Sequence, residues 1–307
     1  MPGVVIFRRL AVVTALFAYL QIALGGVVRV SGSGLGCPDW PLCHGRPYPP
    51  ADAHAIIEYS HRAVGSVTGV LIIATVAMGW VVFRKRRPLV AWLASASLIG
   101  VVGEGLLGAV VVAQELSPWL VLVHLGLAMM IIGFLVATAV MAMPPSTGVP
   151  DSRFRLLAVV ATAATYLLLL TGSTVVASGA DDTCHTWPLC GNGFAVDFSG
   201  VNAYTMLHRG SVLIIGLLLL HVLSTALRRW GSVSGMRAVA GAAIAAFALQ
   251  VLVGAGSAVG GGALFDGFHV ALATLVWSGV LATTLLALPR ADNELELSRL
   301  AVDRRSA

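Results

Sequence analysis

The feature that most constrains this chain is a series of long apolar runs that recurs along most of its length. Runs of 18 or more apolar residues are long enough to cross a hydrocarbon core of about 30 Å as a helix. Only 11% of the residues are charged, whereas soluble domains carry about 25%, and the mean hydropathy is +0.90. The short alternating segments of a transmembrane β-barrel are not seen. The sequence therefore predicts an all-α membrane protein.

We expect eight transmembrane helices, with long outer loops at 30–57 and 178–204. Arg8 and Arg9 precede an apolar run from Leu10 to about Val28, as in a signal peptide, but the run is too long for one and no small-residue cleavage site follows. We therefore expect the first helix to stay uncleaved. The predicted helices cover residues 8–29, 58–83, 89–113, 119–143, 154–177, 205–228, 236–258 and 265–288.

The basic residues predict the orientation of the helices. Of the 19 lysine and arginine residues, fifteen fall on one predicted side, and the other side holds Arg29, Arg46, Arg62 and Arg209. The positive-inside rule makes the richer side cytoplasmic, so both termini are expected there. The net charge of +5 then reflects topology, and no nucleic-acid partner is expected. A bacterial plasma membrane, with the long loops on its extracytoplasmic side, is the expected location.

The two long outer loops repeat each other. The first reads SGSGLGCPDWPLC from Ser31 and the second reads SGADDTCHTWPLC from Ser178, 147 residues later. Because the repeated unit has four helices, an even number, its two copies would be parallel and related by an axis along the membrane normal. We therefore predict two tandem four-helix bundles related by a parallel pseudo-two-fold, with halves 1–147 and 148–290 and a cytoplasmic tail 291–307.

Four of the eight histidines are duplicated by this repeat. His61 matches His208, and His124 matches His269, whereas no counterpart exists for His44, His54, His185 and His221. We expect the first pair to open helices 2 and 6, and the second pair to lie about a turn inside helices 4 and 8. Each half then offers two imidazoles at similar depth, which suits axial ligation of heme iron. Zinc usually takes three or four protein ligands.

The four cysteines form two C-x5-C pairs in the predicted outer loops, Cys37 with Cys43 and Cys184 with Cys190. An oxidising compartment favours disulfides there. Each pair would close a tight Trp-Pro loop as a structural staple, or it could be a redox-active pair that relays electrons.

Charged residues near the histidines are further candidates. Arg62 and Arg209 each follow a duplicated histidine, and they could bind heme propionates or extend to water at the interface. Glu58 shares a helix face with His61 and is replaced by Thr205 in the second half. It could move protons or stabilise a developing cation, or it could be a first-turn residue favoured by the helix dipole.

Glu104 is a carboxylate predicted to lie inside helix 3, opposite Gln250 in the second half. An ionisable group at that depth is a functional candidate. A protonated Glu104 that is hydrogen-bonded between helices is the other interpretation.

Taken together, these motifs resemble the heme A synthase family over nearly the whole chain. The resemblance is carried by GGVVRVSGSGLGCPDWPLCHG from Gly25, EYSHR from Glu58, His124, SGADDTCHTWPLC from Ser178, LHR from Leu207 and His269. It implies oxidation of the C8 methyl group of heme O to a formyl group, which makes heme A for cytochrome c oxidase. Glutamate at position 104 departs from the family pattern, in which glutamine is expected.

The resemblance also implies residue roles. His208 and His269 resemble the axial ligands of a resident heme b, and His61 and His124 resemble the pair that places heme O. Glu58 is similar to the family's catalytic carboxylate. The implied partners are heme O, heme O synthase, cytochrome oxidase assembly factors and membrane lipid, and a homo-oligomer is left open.

Three other functions are compatible with parts of the pattern. A membrane b-type cytochrome that only transfers electrons would explain the four histidines, but not the unmatched Glu58. An assembly factor could carry heme without changing it. A two-repeat transporter is disfavoured, because Glu104 is the one deep charge and transporters usually carry charged groups at the midplane.

Overall fold

The computed structural model describes residues 2–144, 148–190, 196–260 and 262–289. Within these ranges the chain forms eight α-helices, each long and apolar enough to cross a membrane. The predicted tail 291–307 and residue 147, the predicted end of the first half, lie outside the described residues. The helices are α1 (Pro2–Val30), α2 (Ala53–Phe83), α3 (Pro88–Ala113), α4 (Pro118–Ala142), α5 (Ser152–Ala177), α6 (Asn202–Arg229), α7 (Met236–Ala258) and α8 (Ala263–Ala287).

The helix starts follow local capping chemistry. The Asp52 carboxylate accepts a hydrogen bond of 2.9 Å from the amide of Ala55 and caps α2. Asp151 caps α5 in the same way through the amide of Phe154, also at 2.9 Å. Proline begins both α3 and α4, where its missing N–H costs no helical hydrogen bond. These caps explain why α2 and α5 start earlier than the apolar runs alone predicted.

The early start of α2 and α6 corrects one prediction. His61 is the ninth residue of α2 and His208 is the seventh residue of α6, so neither opens its helix. Both histidines therefore lie deeper in the bundle than expected. Glu58 is likewise outside the first turn of α2, so the helix-dipole explanation for this residue is wrong.

The helices pack as two groups of four. In the chain order α1 to α4 each helix contacts the next, and α1 also contacts α4; the helices α5 to α8 repeat these contacts. The two groups meet where α1 packs on α8, α4 on α5 and α4 on α8. The centre of the molecule is therefore built from α1, α4, α5 and α8. The parallel pseudo-two-fold relation of the halves and the cytoplasmic side of the termini stay predictions.

The contact between the groups is apolar but carries specific hydrogen bonds. The indole Nε1 of Trp277 in α8 donates to the carbonyl of Met129 in α4 over 2.8 Å. The Tyr166 hydroxyl in α5 donates to the carbonyl of Gly126 over 3.1 Å, and its ring lies 5.5 Å from that of Trp277. A buried indole or phenol needs such a partner in an apolar interior. These bonds fix how the two groups of helices meet.

Candidate functional site

The first outer loop is held against α2 by a disulfide and an arginine. Cys37 and Cys43 are fully buried and joined by an S–S bond of 2.04 Å. The Arg62 guanidinium donates to the carbonyl oxygens of Cys37 at 2.6 Å, Asp39 at 2.7 Å and Leu42 at 2.8 Å. The loop is therefore fixed over the outer part of α2.

The second outer loop has a corresponding arrangement. Cys184 and Cys190 form a disulfide of 2.05 Å. Arg209 donates to the carbonyl oxygens of Thr186 at 2.7 Å and Pro188 at 3.2 Å. Thr186 and Asp39 are 147 residues apart, so the two arginines share one equivalent carbonyl partner. The predicted cysteine pairing is confirmed, while propionate binding by the arginines stays a prediction beside this observed role.

Asp39 stabilises the turn of the first loop. The backbone amides of Gly45 and His44 donate to its two carboxylate oxygens at 2.7 and 2.6 Å. These hydrogen bonds, first that of Gly45, hold the pKa of the Asp39 carboxyl below its ordinary value.

Glu58 lies beneath this loop and is 3% exposed. Its Oε2 accepts a hydrogen bond of 2.8 Å from the backbone amide of Cys37, and its Oε1 lies 2.5 Å from Nη2 of Arg62. The carboxylate thus has one fixed position between the disulfide loop and α2. The equivalent Thr205 is also buried but contacts a carbonyl, that of Ala180, at 3.5 Å. At this position of the repeat, the first half has a carboxylate and the second half has a hydroxyl.

The imidazoles of His61 and His208 each pack on a glycine of a neighbouring helix. A Cβ atom placed on Gly25 of α1 would lie 3.2 Å from Cε1 of His61, and one on Gly172 of α5 would lie 3.0 Å from Cε1 of His208. Gly25 and Gly172 are 147 residues apart. A side chain at either position would displace the ring, so the glycines allow the histidines to approach α1 and α5 closely.

The imidazoles of His124 and His269 have the same kind of neighbour. A Cβ atom on Gly108 of α3 would lie 3.4 Å from Cε1 of His124, and one on Gly254 of α7 would lie 2.7 Å from Cε1 of His269. These two glycines are 146 residues apart. All four duplicated histidines therefore sit in glycine-lined positions that follow the sequence repeat.

Polar side chains approach the same rings. Nε2 of Gln21 lies 3.2 Å from Nε2 of His61, and Oγ1 of Thr171 lies 3.0 Å from Nδ1 of His208. In the first half Oε1 of Glu104 lies 3.1 Å from Nδ1 of His124, although the two are not aligned for a hydrogen bond.

The structure brings the histidines together as the predicted pairs. His61 and His124 are close enough to interact electrostatically, and so are His208 and His269. Within the described ranges, several buried polar atoms at these pairs have no hydrogen-bond partner. They are Nδ1 of His61, His124 and His269 and the side-chain oxygens Oε1 of Gln21, Oε2 of Glu104 and Oε1 of Gln250.

Buried imidazole nitrogens of this kind fit axial ligation of heme iron. An unpartnered polar atom in an apolar interior is costly, and it persists where a ligand satisfies it. Two neighbouring imidazoles in each half match in number the two axial ligands of a heme. The residues present therefore fit a heme in each half.

Three unduplicated histidines, His44 and His185 in the outer loops and His54 at the start of α2, have local roles. His44 contacts the carbonyl of Gly36 at 3.0 Å, His54 contacts the Ser33 hydroxyl at 3.0 Å, and His185 contacts the carbonyl of Asp182 at 3.1 Å. Their contacts are with the loops themselves, which agrees with their absence from the repeat.

Comparison with known proteins decides the family. The model of the cytochrome oxidase assembly protein family, COX15-CtaA, matches residues 8–56 and 51–281. The chain belongs to this family. A heme A synthase of Symbiobacterium thermophilum is 30% identical over 288 residues, which are 88% of this chain and 92% of that protein. A heme A synthase of Shouchella clausii is 29% identical over 222 residues, or 69% and 73% of the two chains.

Membership of the COX15-CtaA family confirms the predicted resemblance and the multi-pass membrane location. Neither the transporter nor the electron-only cytochrome is favoured by these relatives. The four glycines against the histidines were not predicted, although the repeat that pairs the histidines also pairs the glycines. Gln21 was missed as well, because the equivalent residue of the second half is Leu168 and the repeat gives no signal there.

Proposed function

We propose that this protein is a heme A synthase, an oxidoreductase that converts a methyl group of heme O to a formyl group. The observation that carries the proposal is the arrangement of two buried histidine pairs, each ring packed on a glycine, in a chain that matches heme A synthases over most of its length. Methyl-to-formyl oxidation removes four electrons from the substrate carbon in two steps, through an alcohol.

The first half is proposed to bind heme O as substrate, with His61 and His124 as its iron ligands. The second half is proposed to hold a resident heme b between His208 and His269. Two carboxylates that the repeat does not duplicate support this division, because Glu58 and Glu104 belong to the first half and are replaced by Thr205 and Gln250 in the second.

Glu58 is the proposed catalytic residue. The Cys37 amide and the Arg62 guanidinium fix its carboxylate, so it needs no reorganisation as the substrate reacts. Such a preorganised negative charge can stabilise positive charge that develops at the substrate carbon, or accept a proton from it. Heme b, when bound, supplies a reversible one-electron centre in the second half. Arg62 also holds the loop and the Glu58 carboxylate in fixed positions relative to each other.

The disulfide loops are proposed to lie on the extracytoplasmic side of a bacterial plasma membrane. Their buried sulfurs and arginine-bound carbonyls support the role of structural staples. Heme O synthase and cytochrome oxidase assembly factors are the proposed protein partners.

Extraction and chromatography of bound hemes test the proposed reaction. The protein is purified from a host that makes heme O, with the same host carrying an empty vector as the control. We expect heme A or its alcohol precursor together with heme b. Heme b as the only heme would contradict the proposal and favour an electron-transfer cytochrome.

A further inference from the structure

Glu104 is a carboxylate inside α3 whose function the proposed reaction does not use. Its side chain is only 15% exposed, and its Oε1 lies 3.1 Å from Nδ1 of His124. Gly108, four residues later on the same helix face, faces the same imidazole, since a Cβ atom there would lie 3.4 Å from Cε1. One face of α3 therefore touches His124 at two points, one polar and one apolar.

Gln250 occupies the equivalent place in α7, and Gly254 again follows four residues later. Nε2 of Gln250 lies 3.2 Å from Nε2 of His269, and Gly254 contacts Cε1 of the same ring. The two halves thus share a helix face that presents a polar side chain and a glycine to a histidine. They differ in the group presented, a carboxylate in the first half and an amide of nearly the same shape in the second, and in the ring nitrogen that it faces, Nδ1 of His124 and Nε2 of His269.

Packing does not explain why position 104 has a glutamate and not a glutamine. Glutamine fills the same space without the cost of placing an ionisable group within a membrane-spanning helix. The ionisable side chain that Glu104 contacts is His124. The carboxylate that replaces an amide in the first half therefore acts on His124.

We propose that Glu104 is a positioning residue that orients His124 and strengthens its imidazole as an iron ligand. The inference rests on the proposed role of His124. An imidazole that binds a metal through one nitrogen commonly donates its other N–H to an outer acceptor, which fixes the ring and raises its basicity. A carboxylate is a stronger acceptor than an amide, and Oε1 of Glu104 lies 3.1 Å from Nδ1 of His124. Gln250 instead places its amide nitrogen, a donor, 3.2 Å from Nε2 of His269, so it gives that ring no carboxylate acceptor.

A reciprocal exchange tests this inference in the full-length protein with its hemes bound. The variants are Glu104→Gln and Gln250→Glu, and the readouts are heme content, the electron paramagnetic resonance spectrum and the midpoint potential of each heme. A more basic ligand stabilises ferric iron. We therefore expect Glu104→Gln to raise the potential of one heme and leave the other unchanged, and Gln250→Glu to lower the potential of the other heme.

Unchanged potentials and spectra in Glu104→Gln at full heme content would overturn the inference, as would equal shifts of both hemes. If Glu104→Gln loses a heme, the inference is tested by Gln250→Glu instead. An unchanged midpoint potential of the second-half heme in Gln250→Glu would then overturn the inference. Heme A formation is measured in the same wild-type preparation. Its absence would refute the synthase proposal, whereas the potentials test Glu104 whichever heme each half binds.

Discussion

At the scale of single residues, the distinctive feature is a carboxylate held under a disulfide loop. The repeat showed that Glu58 has no acidic counterpart, and this made it a candidate without structural information. Its hydrogen bonds could not be predicted, because they depend on how the loop around Cys37 folds back onto α2. The same is true of Arg62, which was expected at the interface or on a propionate and is found bound to loop carbonyls.

Replacement of Glu58 by alanine is expected to stop heme O conversion and to leave the heme b absorbance spectrum intact. The reason is that Glu58 belongs to the first half, whereas the proposed heme b ligands are in the second. Conversion is measured by chromatography of extracted hemes. Thr205→Ala, at the equivalent buried position, is the matched control and should convert normally. Normal conversion by Glu58→Ala would remove the catalytic role from this residue.

Alanine in place of Gly254 is expected to reduce heme b content, because the added Cβ would meet the His269 ring at 2.7 Å. Overpacking of this kind typically costs about 1–3 kcal/mol. Gly210 in α6 is the matched control, since an added Cβ there would meet nothing within 4 Å. The ratio of heme b to protein is measured by pyridine hemochrome absorbance. Equal ratios in the two variants would show that the ring does not need this glycine.

At the scale of elements, each outer loop is bound to its helix by one arginine that follows a duplicated histidine. Arg62 satisfies three loop carbonyls with its forked guanidinium, a geometry that lysine does not reproduce. Most helix positions were predicted well because apolar runs dominate them. The starts of α1, at Pro2, and of α2, at Ala53, were missed, and that of α2 depends on the Asp52 cap. The signal for this cap, Asp52 shortly after Pro49 and Pro50, is present in the sequence.

Arg62→Lys is expected to expose the Cys37–Cys43 disulfide to mild reductants. Loss of the carbonyl hydrogen bonds loosens the loop that buries both sulfurs. The measurement is thiol alkylation after brief reduction, followed by mass spectrometry of the loop peptide. Arg46→Lys, an exposed position of the same loop, is the control and should behave like the wild type. Equal reduction of the two variants would contradict the role of Arg62 in holding the loop.

At the scale of the whole molecule, two groups of four helices meet along α1, α4, α5 and α8. The duplication and the four histidines could be predicted from the sequence, since both are repeats of residue type at a fixed offset. The helix contacts between the groups could not, because apolar stripes of nearly uniform hydropathy do not specify partners. The Trp277 and Tyr166 hydrogen bonds supply that specificity.

Trp277→Phe is expected to destabilise the contact between the two groups by about 1 kcal/mol, the usual net value of one hydrogen bond. The bond lost is that from the indole to the Met129 carbonyl. Thermal unfolding of the detergent-solubilised protein gives the measurement. Trp119→Phe, which replaces a half-exposed indole of α4, is the control and should leave the melting temperature nearly unchanged. A similar melting temperature for the two variants would contradict this role of Trp277.

The central claim is that the two halves hold different hemes, and extraction of hemes from paired histidine variants tests it most directly. One variant replaces His61 and His124 by alanine, and the other replaces His208 and His269. We predict that the first retains heme b and lacks heme O and heme A, while the second loses heme b. Loss of the same heme from both variants, or retention of heme A after removal of His61 and His124, would contradict the account.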